Sequence, residues 1–559
     1  MTKRIVLSHR HLLAKEEGTI IKKWEGKIPI CLIFPNYYHV GMSNLGFQLL
    51  YRHLNSLPEV VCERAFLPER KEWGEYSRSN RPLISLESGK PLSQFQIIAF
   101  SLPFENDFLH LLSILQLAKI PLKAQDRDER VPLIVAGGAA VSLNPEPLAP
   151  FVDLFFIGEG EETLIDFLKA FQGGGRGGKK GFLEGVAGTE GVYVPTLYQA
   201  IYDQHGFIGE FFPLKGKAPE RVRRRWITDP SRYPSHSAIL TPLTEFKEMF
   251  LLEVNRGCPR SCRFCAARSL YFPFRNRGMD TLIREADLGL QRGRRIGLVG
   301  SALADHPRFT ELCEDIVEKG GRISIASIRA DAITDKLANL LVLSGHRTVA
   351  IAPETGSERL RKVLEKGFTE EEIISSVEIL AGHGINNLKL YFIIGLPTET
   401  WEDIDGIVAL TKRIRHQMVK GGRRVGELTL SINPFIPKAW TPFQWQPFEE
   451  VKSIKEKIRV IKKGLQKIPH LHVLHELPKW GYVQTLLSMG DRRVGELLLL
   501  ALQAKGNWPS VFKDSYINPD FWVYRKKRKE EILPWDFIDH GLKKDALWKE
   551  YRKAIGKPA

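Results

Sequence analysis

The sequence predicts an α/β protein with a doubly wound, Rossmann-like N-terminal domain, a partial (β/α)6 barrel and a helical C-terminal region. Three observations predict it. Residues 28–172 alternate short apolar segments with helical patterns, and strands apolar on both faces belong in parallel sheets covered by helices. Residues 246–445 repeat the alternation six times, short of the eight units of a closed barrel. Residues 446–559 show helical patterning with basic and aromatic side chains.

In the N-terminal region, 1–172, apolar strands are expected at Ile28–Phe34, Gln96–Ser101, Val131–Gly138 and Asp153–Gly158. Helices are expected at Asn44–Leu54, Phe108–Ala118 and Glu162–Phe171. Residues 173–245 read as a connector. It opens on Gly173–Gly181, a flexible linker by composition. Residues 190–228 then alternate aromatic and polar side chains around Asp203-Gln-His-Gly206, the pattern of a β-hairpin. In the barrel region, 246–445, strands are expected near Met249–Val254, Ile296–Gly300, Arg322–Ala326, Thr348–Ala352, Asn387–Ile394 and Glu427–Asn433.

Composition narrows the class. A chain of 559 residues can bury large cores without disulfide staples. Of its six cysteines, Cys31, Cys62 and Cys313 are scattered through apolar or helical runs, as core residues are. A reducing compartment fits this usage. The N-terminus has no apolar h-region and no run of about 18 apolar residues exists, so no leader or membrane span is expected and a cytoplasmic location is. The net charge of +16 admits an acidic or nucleic-acid partner. Much of the excess is spread over solvated helices such as Lys452–Lys467, which argues against nucleic acid.

The chemistry concentrates in Glu253-Val-Asn-Arg-Gly-Cys258-Pro-Arg-Ser-Cys262-Arg-Phe-Cys265, directly after an expected strand. Thiolates ligate iron–sulfur clusters, and an ordinary cubane takes four. Three thiolates leave one iron with an open position, the usual arrangement of a catalytic metal. A zinc knuckle would need a fourth ligand close by, and the next candidate is His306.

This triplet, with Phe264 before the last cysteine, resembles the signature of the radical S-adenosylmethionine (SAM) family. The resemblance covers 246–445 and implies a [4Fe-4S] cluster on Cys258, Cys262 and Cys265. It implies that S-adenosyl-L-methionine chelates the open iron. One electron then cleaves its sulfur–carbon bond to give a 5′-deoxyadenosyl radical. An electron donor such as ferredoxin or flavodoxin is implied as partner. Other positions match the family more loosely. Gly300 and Ser301 end the second barrel strand, where backbone meets the methionine amine. Ser327 and Arg329 match the third-strand polar pair, and Glu354 the fourth-strand ribose position. Lys389 and Tyr391 alternate with apolar residues on the fifth strand and so can both face the interior. Gly395-Leu-Pro-Thr-Glu-Thr400 matches the turn beside adenine. Ser357 and Glu358 read equally as helix-start residues.

Residues 28–172 resemble the cobalamin-binding domain that precedes many radical SAM cores. Phe100-Ser-Leu-Pro103, Ala136-Gly-Gly-Ala-Ala-Val-Ser-Leu-Asn-Pro-Glu146 and Asp153-Leu-Phe-Phe-Ile-Gly-Glu-Gly-Glu161 match its strand ends. Ligands of open α/β sheets sit at such ends, and Gly137, Gly138 and Gly158 would let a bulky ring approach the backbone. The sequence departs at Tyr37-Tyr-His39-Val-Gly41, which lacks the Asp-x-His-x-x-Gly pattern of cobalt-ligating domains. Two readings stay open: a domain that binds cobalamin without a histidine ligand, and a degenerate one that only shapes the active site. Tyr38–Gly46, Asn433–Trp445, Met489–Gly495 and Leu533–Asp536 resemble a bacterial and archaeal group of such proteins with unassigned substrate. Gly490-Asp-Arg-Arg493 reads as a buried ion pair rather than an anion-binding turn, and Trp440, Phe443 and Trp445 as packing for the C-terminal region, 446–559.

The implied function is radical SAM chemistry, with cobalamin-dependent methylation of an unactivated carbon first. The alternative is a cobalamin-independent 5′-deoxyadenosyl radical enzyme for rearrangement, oxidation or C–C bond formation. A methylthiotransferase would carry a second cysteine trio in the N-terminal domain, where only Cys31 and Cys62 stand. An iron–sulfur sensor or RNA-binding protein would not need Glu354 or Gly395-Leu-Pro397.

Overall fold

The computed structural model describes residues 3–173, 177–214 and 216–556. The N-terminal sheet contains β1 (Ile28–Phe34), β2 (Val60–Phe66), β3 (Ile97–Ser101), β4 (Leu133–Gly137), β5 (Leu154–Phe156) and β6 (Val192–Tyr193). Their spatial order is β2-β1-β3-β4-β5-β6, parallel except for the β6 edge. This is the flavodoxin-like doubly wound order, whose ligand crevice lies at the carboxyl strand ends. The three expected helices form as Leu45–Ser56, Phe108–Leu117 and Gly160–Gln172. Asn44 caps the first by accepting the Phe47 amide at 2.9 Å.

β2 goes unannounced in the sequence because it buries two charges. Glu63 accepts hydrogen bonds from Trp24, Ser85 and Ser88. Arg64 is fully buried, pairs with Glu16 at 2.6 Å and Glu87 at 2.7 Å, and sits 4.7 Å over the Tyr51 ring. Buried charges persist only when paired in this way.

The glycine-rich linker is corrected in part. Residues 174–176 lie outside the described residues, but Gly178–Val186 is a helix. Its apolar face supplies the reason: Phe182 packs edge-on against Phe167 and Phe171, at 5.7 and 5.4 Å. Tertiary packing there outweighs the poor helix propensity of glycine. The expected hairpin is β7 (Tyr198–Tyr202) and β8 (Ile208–Pro213), and Asp203 closes its turn by accepting the amides of His205 and Phe207. β9 (Val222–Arg223) then leads to the barrel.

The barrel opens with β10 (Phe250–Glu253) and a short antiparallel pair, β11 (Asn255–Arg256) and β12 (Arg275–Asn276). It continues through β13 (Ile296–Val299), β14 (Ile323–Ile325), β15 (Thr348–Glu354), β16 (Asn387–Ile394), β17 (Leu428–Pro434) and β18 (Leu471–His475). These form parallel sheets β10-β13-β14 and β15-β16-β17-β18, joined by an Ile328–Ile351 bridge. The six expected strands are all present, and β18 extends the sheet past residue 445. That edge strand alternates half-buried and exposed residues, so it lacks the apolar signal of the others.

Among the described residues five helices of seven or more residues follow β17: Val451–Leu465, Pro478–Met489, Val494–Gln503, Trp508–Asp514 and Lys544–Ala554. β19 (Ile538–Asp539) pairs in parallel with β9 and so ties the C-terminal region to the connector between the two sheets. Trp440, Phe443 and Trp445 are buried, Trp445 against Trp548 and Tyr551 at 4.9 and 5.7 Å. Asp491 pairs with Arg493 at 2.7 Å, and Arg492 reaches Glu146 of the N-terminal domain at 2.8 Å, so this turn is an interior ion-pair set. Among the described residues no helix is long and apolar enough to cross a membrane.

One glycine is dictated by chain packing. Gly158 has φ +111°, and a Cβ there would lie 2.0 Å from the Arg225 carbonyl oxygen. Gly158→Ala is therefore expected to destabilise the protein by about 1–3 kcal/mol or more, read as a lower denaturant midpoint.

Candidate cluster and cofactor site

The cysteine loop runs between β11 and β12. Gly257 turns into it with φ +81°, where a Cβ would meet the Tyr271 carbonyl oxygen at 2.5 Å. The loop is pinned from outside. The Arg263 amide donates to Leu364 O at 3.0 Å, and its guanidinium donates to Lys362 O and Val363 O at 3.1 and 2.9 Å. The same guanidinium pairs with Glu550 at 2.9 Å and Glu365 at 3.0 Å. Arg260 pairs with Asp305 at 2.6 Å.

All six cysteines are free thiols: Cys31, Cys62 and Cys313 are buried, and Cys258, Cys262 and Cys265 are half-buried together on this loop. Burial pushes the Cys262 thiol up, with Lys366 and Arg329 opposing it, and pushes Cys265 up to about 11. Metal binding would therefore displace thiol protons. Among the described residues no three His, Cys, Asp or Glu side chains converge on a single ion. A mononuclear zinc centre would need such convergence. His306 is buried elsewhere, its Nε2 3.1 Å from Arg277 O and its Nδ1 accepting the Arg308 amide. A cubane instead takes one thiolate on each iron, so three free thiols on one loop match three of its four irons.

Beside the loop stands a charged group at the barrel mouth. Glu354 ends β15 in the left-handed region at φ +65° and pairs with Lys366 at 2.7 Å, both buried. Burial nevertheless holds the Glu354 carboxyl above its ordinary value. Arg329 pairs with Asp331 at 2.9 Å, donates to Lys366 O at 3.1 Å and covers the Phe368 ring at 5.1 Å. Lys366 lies 6.0 Å from the Phe264 ring centroid. On β16 burial alternates, leaving Lys389 and Tyr391 half-buried on one face with the ammonium 5.0 Å over the ring. Ser357 caps its helix by accepting the Leu360 amide. Glu399 accepts the Gly395 amide at 2.6 Å, and burial pushes its carboxyl up to about 7 against the pull of Lys457.

A cavity of about 760 Å³ lies between the carboxyl ends of the N-terminal strands and those of β10, β13 and β14. Gly137, Gly138, Gly158, Gly300, Ser301 and Ser327 all line it. The three cysteines, Arg329, Glu354, Lys389 and Tyr391 do not. The expected site residues thus fall into two groups: a cavity wall, and a loop-and-barrel group around the thiols. Ligand approach is not what requires glycine at two wall positions. At Gly138, φ +116°, a Cβ would lie 2.6 Å from Leu102 O, and Gly158 meets Arg225 as described. His39 stands apart from this wall: it faces Glu245 at 3.5 Å and stacks on Tyr37.

Sequence reasoning passed over the charges at the cavity rim. Arg256 pairs with Glu161 at 2.7 Å, Glu253 at 3.0 Å and Glu159 at 3.3 Å, and Arg275 pairs with Glu159 at 2.6 Å. They join the N-terminal domain to the barrel. The available signal was their position, since Glu159 and Glu161 flank Gly160 and Arg256 precedes Gly257. Lys366 was missed as well, being twelve residues beyond its partner.

Two family models match the chain: "Radical SAM proteins, N-terminal" over residues 46–195 and "Radical SAM superfamily" over 252–411. An uncharacterized protein of Methanocaldococcus jannaschii is 30% identical over 477 residues, 84% of this chain and 90% of that one. An uncharacterized methyltransferase of Pyrococcus horikoshii is 25% identical over 57% of this chain and 68% of its own. Among solved structures, the radical S-adenosylmethionine methyltransferase TsrM from Kitasatospora setae, with cobalamin and [4Fe-4S] cluster bound, aligns at TM-score 0.46. Its identity is 16%, over 73% of this chain and 75% of that one. The matched models, the full-length relative and the three-thiol loop together place this chain in the radical SAM superfamily, whose enzymes pair a [4Fe-4S] cluster with S-adenosylmethionine.

Proposed function

We propose that this protein is a radical SAM methyltransferase that uses cobalamin to methylate an unactivated carbon. One observation carries the reading. A single cavity of about 760 Å³ touches the carboxyl strand ends of both the doubly wound sheet and the barrel. A group bound to the first sheet would there face chemistry performed at the second. The cavity wall is largely apolar, with Leu45, Leu50, Phe100 and Val135 among its members, which suits the face of a broad ring.

Cys258, Cys262 and Cys265 would hold the cluster. When bound, that cluster supplies the single electron that cleaves S-adenosylmethionine. The chain's own residues do the positioning. Arg263 anchors the thiol loop to the helix Glu358–Leu364 and to Glu550. Lys366 neutralises Glu354, so a buried carboxylate is available to accept hydroxyl donors at the barrel mouth. Arg329 is oriented by Asp331 and Phe368. Ser301 and Ser327 line the cavity from the barrel side.

Anaerobic reconstitution with iron and sulfide, with and without hydroxocobalamin, tests the reading. After gel filtration, about four irons per chain and a retained corrin band are expected. Iron without corrin favours the second reading, a cobalamin-independent 5′-deoxyadenosyl radical enzyme. The observation on that side is that His39 pairs with Glu245 and does not line the cavity.

A further inference from the structure

We infer that the C-terminal helix Lys544–Ala554 and the cysteine loop together form the docking surface for an acidic, one-electron carrier protein. The inference rests on the cluster reading above. An electron must enter at the thiol loop, and the outside of that loop is built from C-terminal residues. Arg263, between Cys262 and Phe264, is buried with its guanidinium on Glu550 of this helix and on the carbonyls of Lys362 and Val363. The helix Glu358–Leu364 packs directly against Lys544–Ala554.

The surface around this junction is basic. On the C-terminal helix Leu547, Tyr551 and Ala554 face inward, which turns Lys549 and Lys553 to solvent one turn apart. Lys362 is exposed on the neighbouring helix, and Arg268 is exposed three residues after Cys265. Among the described residues Arg268, Lys362 and Lys549 form no ion pair. The acids nearby are already engaged: Glu365 and Glu550 with Arg263, Glu550 also with Lys553, and Asp545 with Lys529. What remains for a partner is unpaired positive charge on the wall of the thiol loop, the complement of an acidic carrier. Such complementarity acts chiefly on encounter rate and on salt dependence. The step moves one electron: the carrier is oxidised by one, the cluster is reduced by one, and no bond or proton is transferred.

The test uses the full-length reconstituted protein and reduced flavodoxin as the carrier. Stopped-flow bleaching of the cluster absorbance gives the rate, and calorimetric titration with oxidised flavodoxin gives affinity. The variants are K362E/K549E and, on the separate basic helix Val451–Leu465 and the residues just after it, K463E/K467E. We expect K362E/K549E to slow reduction at low salt by about tenfold or more, to weaken binding, and to flatten the salt dependence. Reduction by dithionite, which needs no docking, should be unchanged. Wild-type rates and affinity in K362E/K549E would overturn the inference, as would slowing confined to K463E/K467E. A protein that retains no iron would remove the cluster reading itself, and this inference with it.

Discussion

Replacing Cys262 by serine is expected to take the reconstituted protein from about four irons per chain to near none, with the fold retained. Two thiols cannot hold a cubane, whereas the backbone around them is pinned independently by Arg263 and Arg260. Iron and sulfide analysis with the visible spectrum measures the loss, and far-ultraviolet circular dichroism shows retention of secondary structure. Cys313→Ser is the contrasting variant. That thiol is fully buried in the helix Phe309–Glu318, so a hydroxyl there is expected to lower stability and leave iron content unchanged. If Cys262→Ser keeps its full iron complement, the loop is not the cluster site.

Arg256→Met is expected to be the most destabilising single change at the domain junction, by about 3–5 kcal/mol. It strands Glu159, Glu161 and Glu253 around a neutral side chain, although Arg275 and Arg277 still engage two of them. A denaturant melt gives the magnitude. The pH dependence gives the mechanism. Burial alone would raise the Glu159 and Glu253 carboxyls above 4.5, but their arginine partners outweigh it and hold both below that value. A carboxyl held low contributes stability that is complete above its unfolded value and lost as pH falls through the folded one. The wild type should therefore lose this contribution only below about pH 4.5. Arg256→Met should begin to lose it at higher pH, because desolvation is then less opposed. An unchanged acid limb would show that Arg256 is not what keeps these carboxyls ionised.

The sequence and the structure divide the account unevenly. β16 was legible to the residue, since polar and apolar side chains alternate over Asn387–Tyr391, the run stays apolar through Phe392–Ile394, and Gly384 and Gly395 stand on either side. β2 was not, because Glu63 and Arg64 interrupt an otherwise apolar run, and their burial is made tolerable by partners far along the chain: Glu16 and Glu87 for Arg64, and Trp24, Ser85 and Ser88 for Glu63. The helix Gly178–Val186 was hidden for the opposite reason: its glycines read as a linker until Phe167 and Phe171 supply a surface for Phe182.

The same division runs through the site. The thiol triplet is local, eight residues recognisable without the rest of the chain, so the sequence alone carried the resemblance that implies a [4Fe-4S] cluster and named its three candidate ligands. The partial barrel and the doubly wound sheet were determined in the same way, by apolar periodicity that repeats along the chain. The tertiary structure alone decided which charges meet. Arg256 finds Glu159 and Glu161 nearly a hundred residues earlier, Arg263 finds Glu550 close to the C-terminus, and the cavity exists only where two separate sheets turn their carboxyl ends toward one another. Periodicity records which face of an element is apolar, but not which element will cover it. Long-range ion pairs leave no periodic trace in either partner, because each is a single side chain whose neighbour is chosen by the fold.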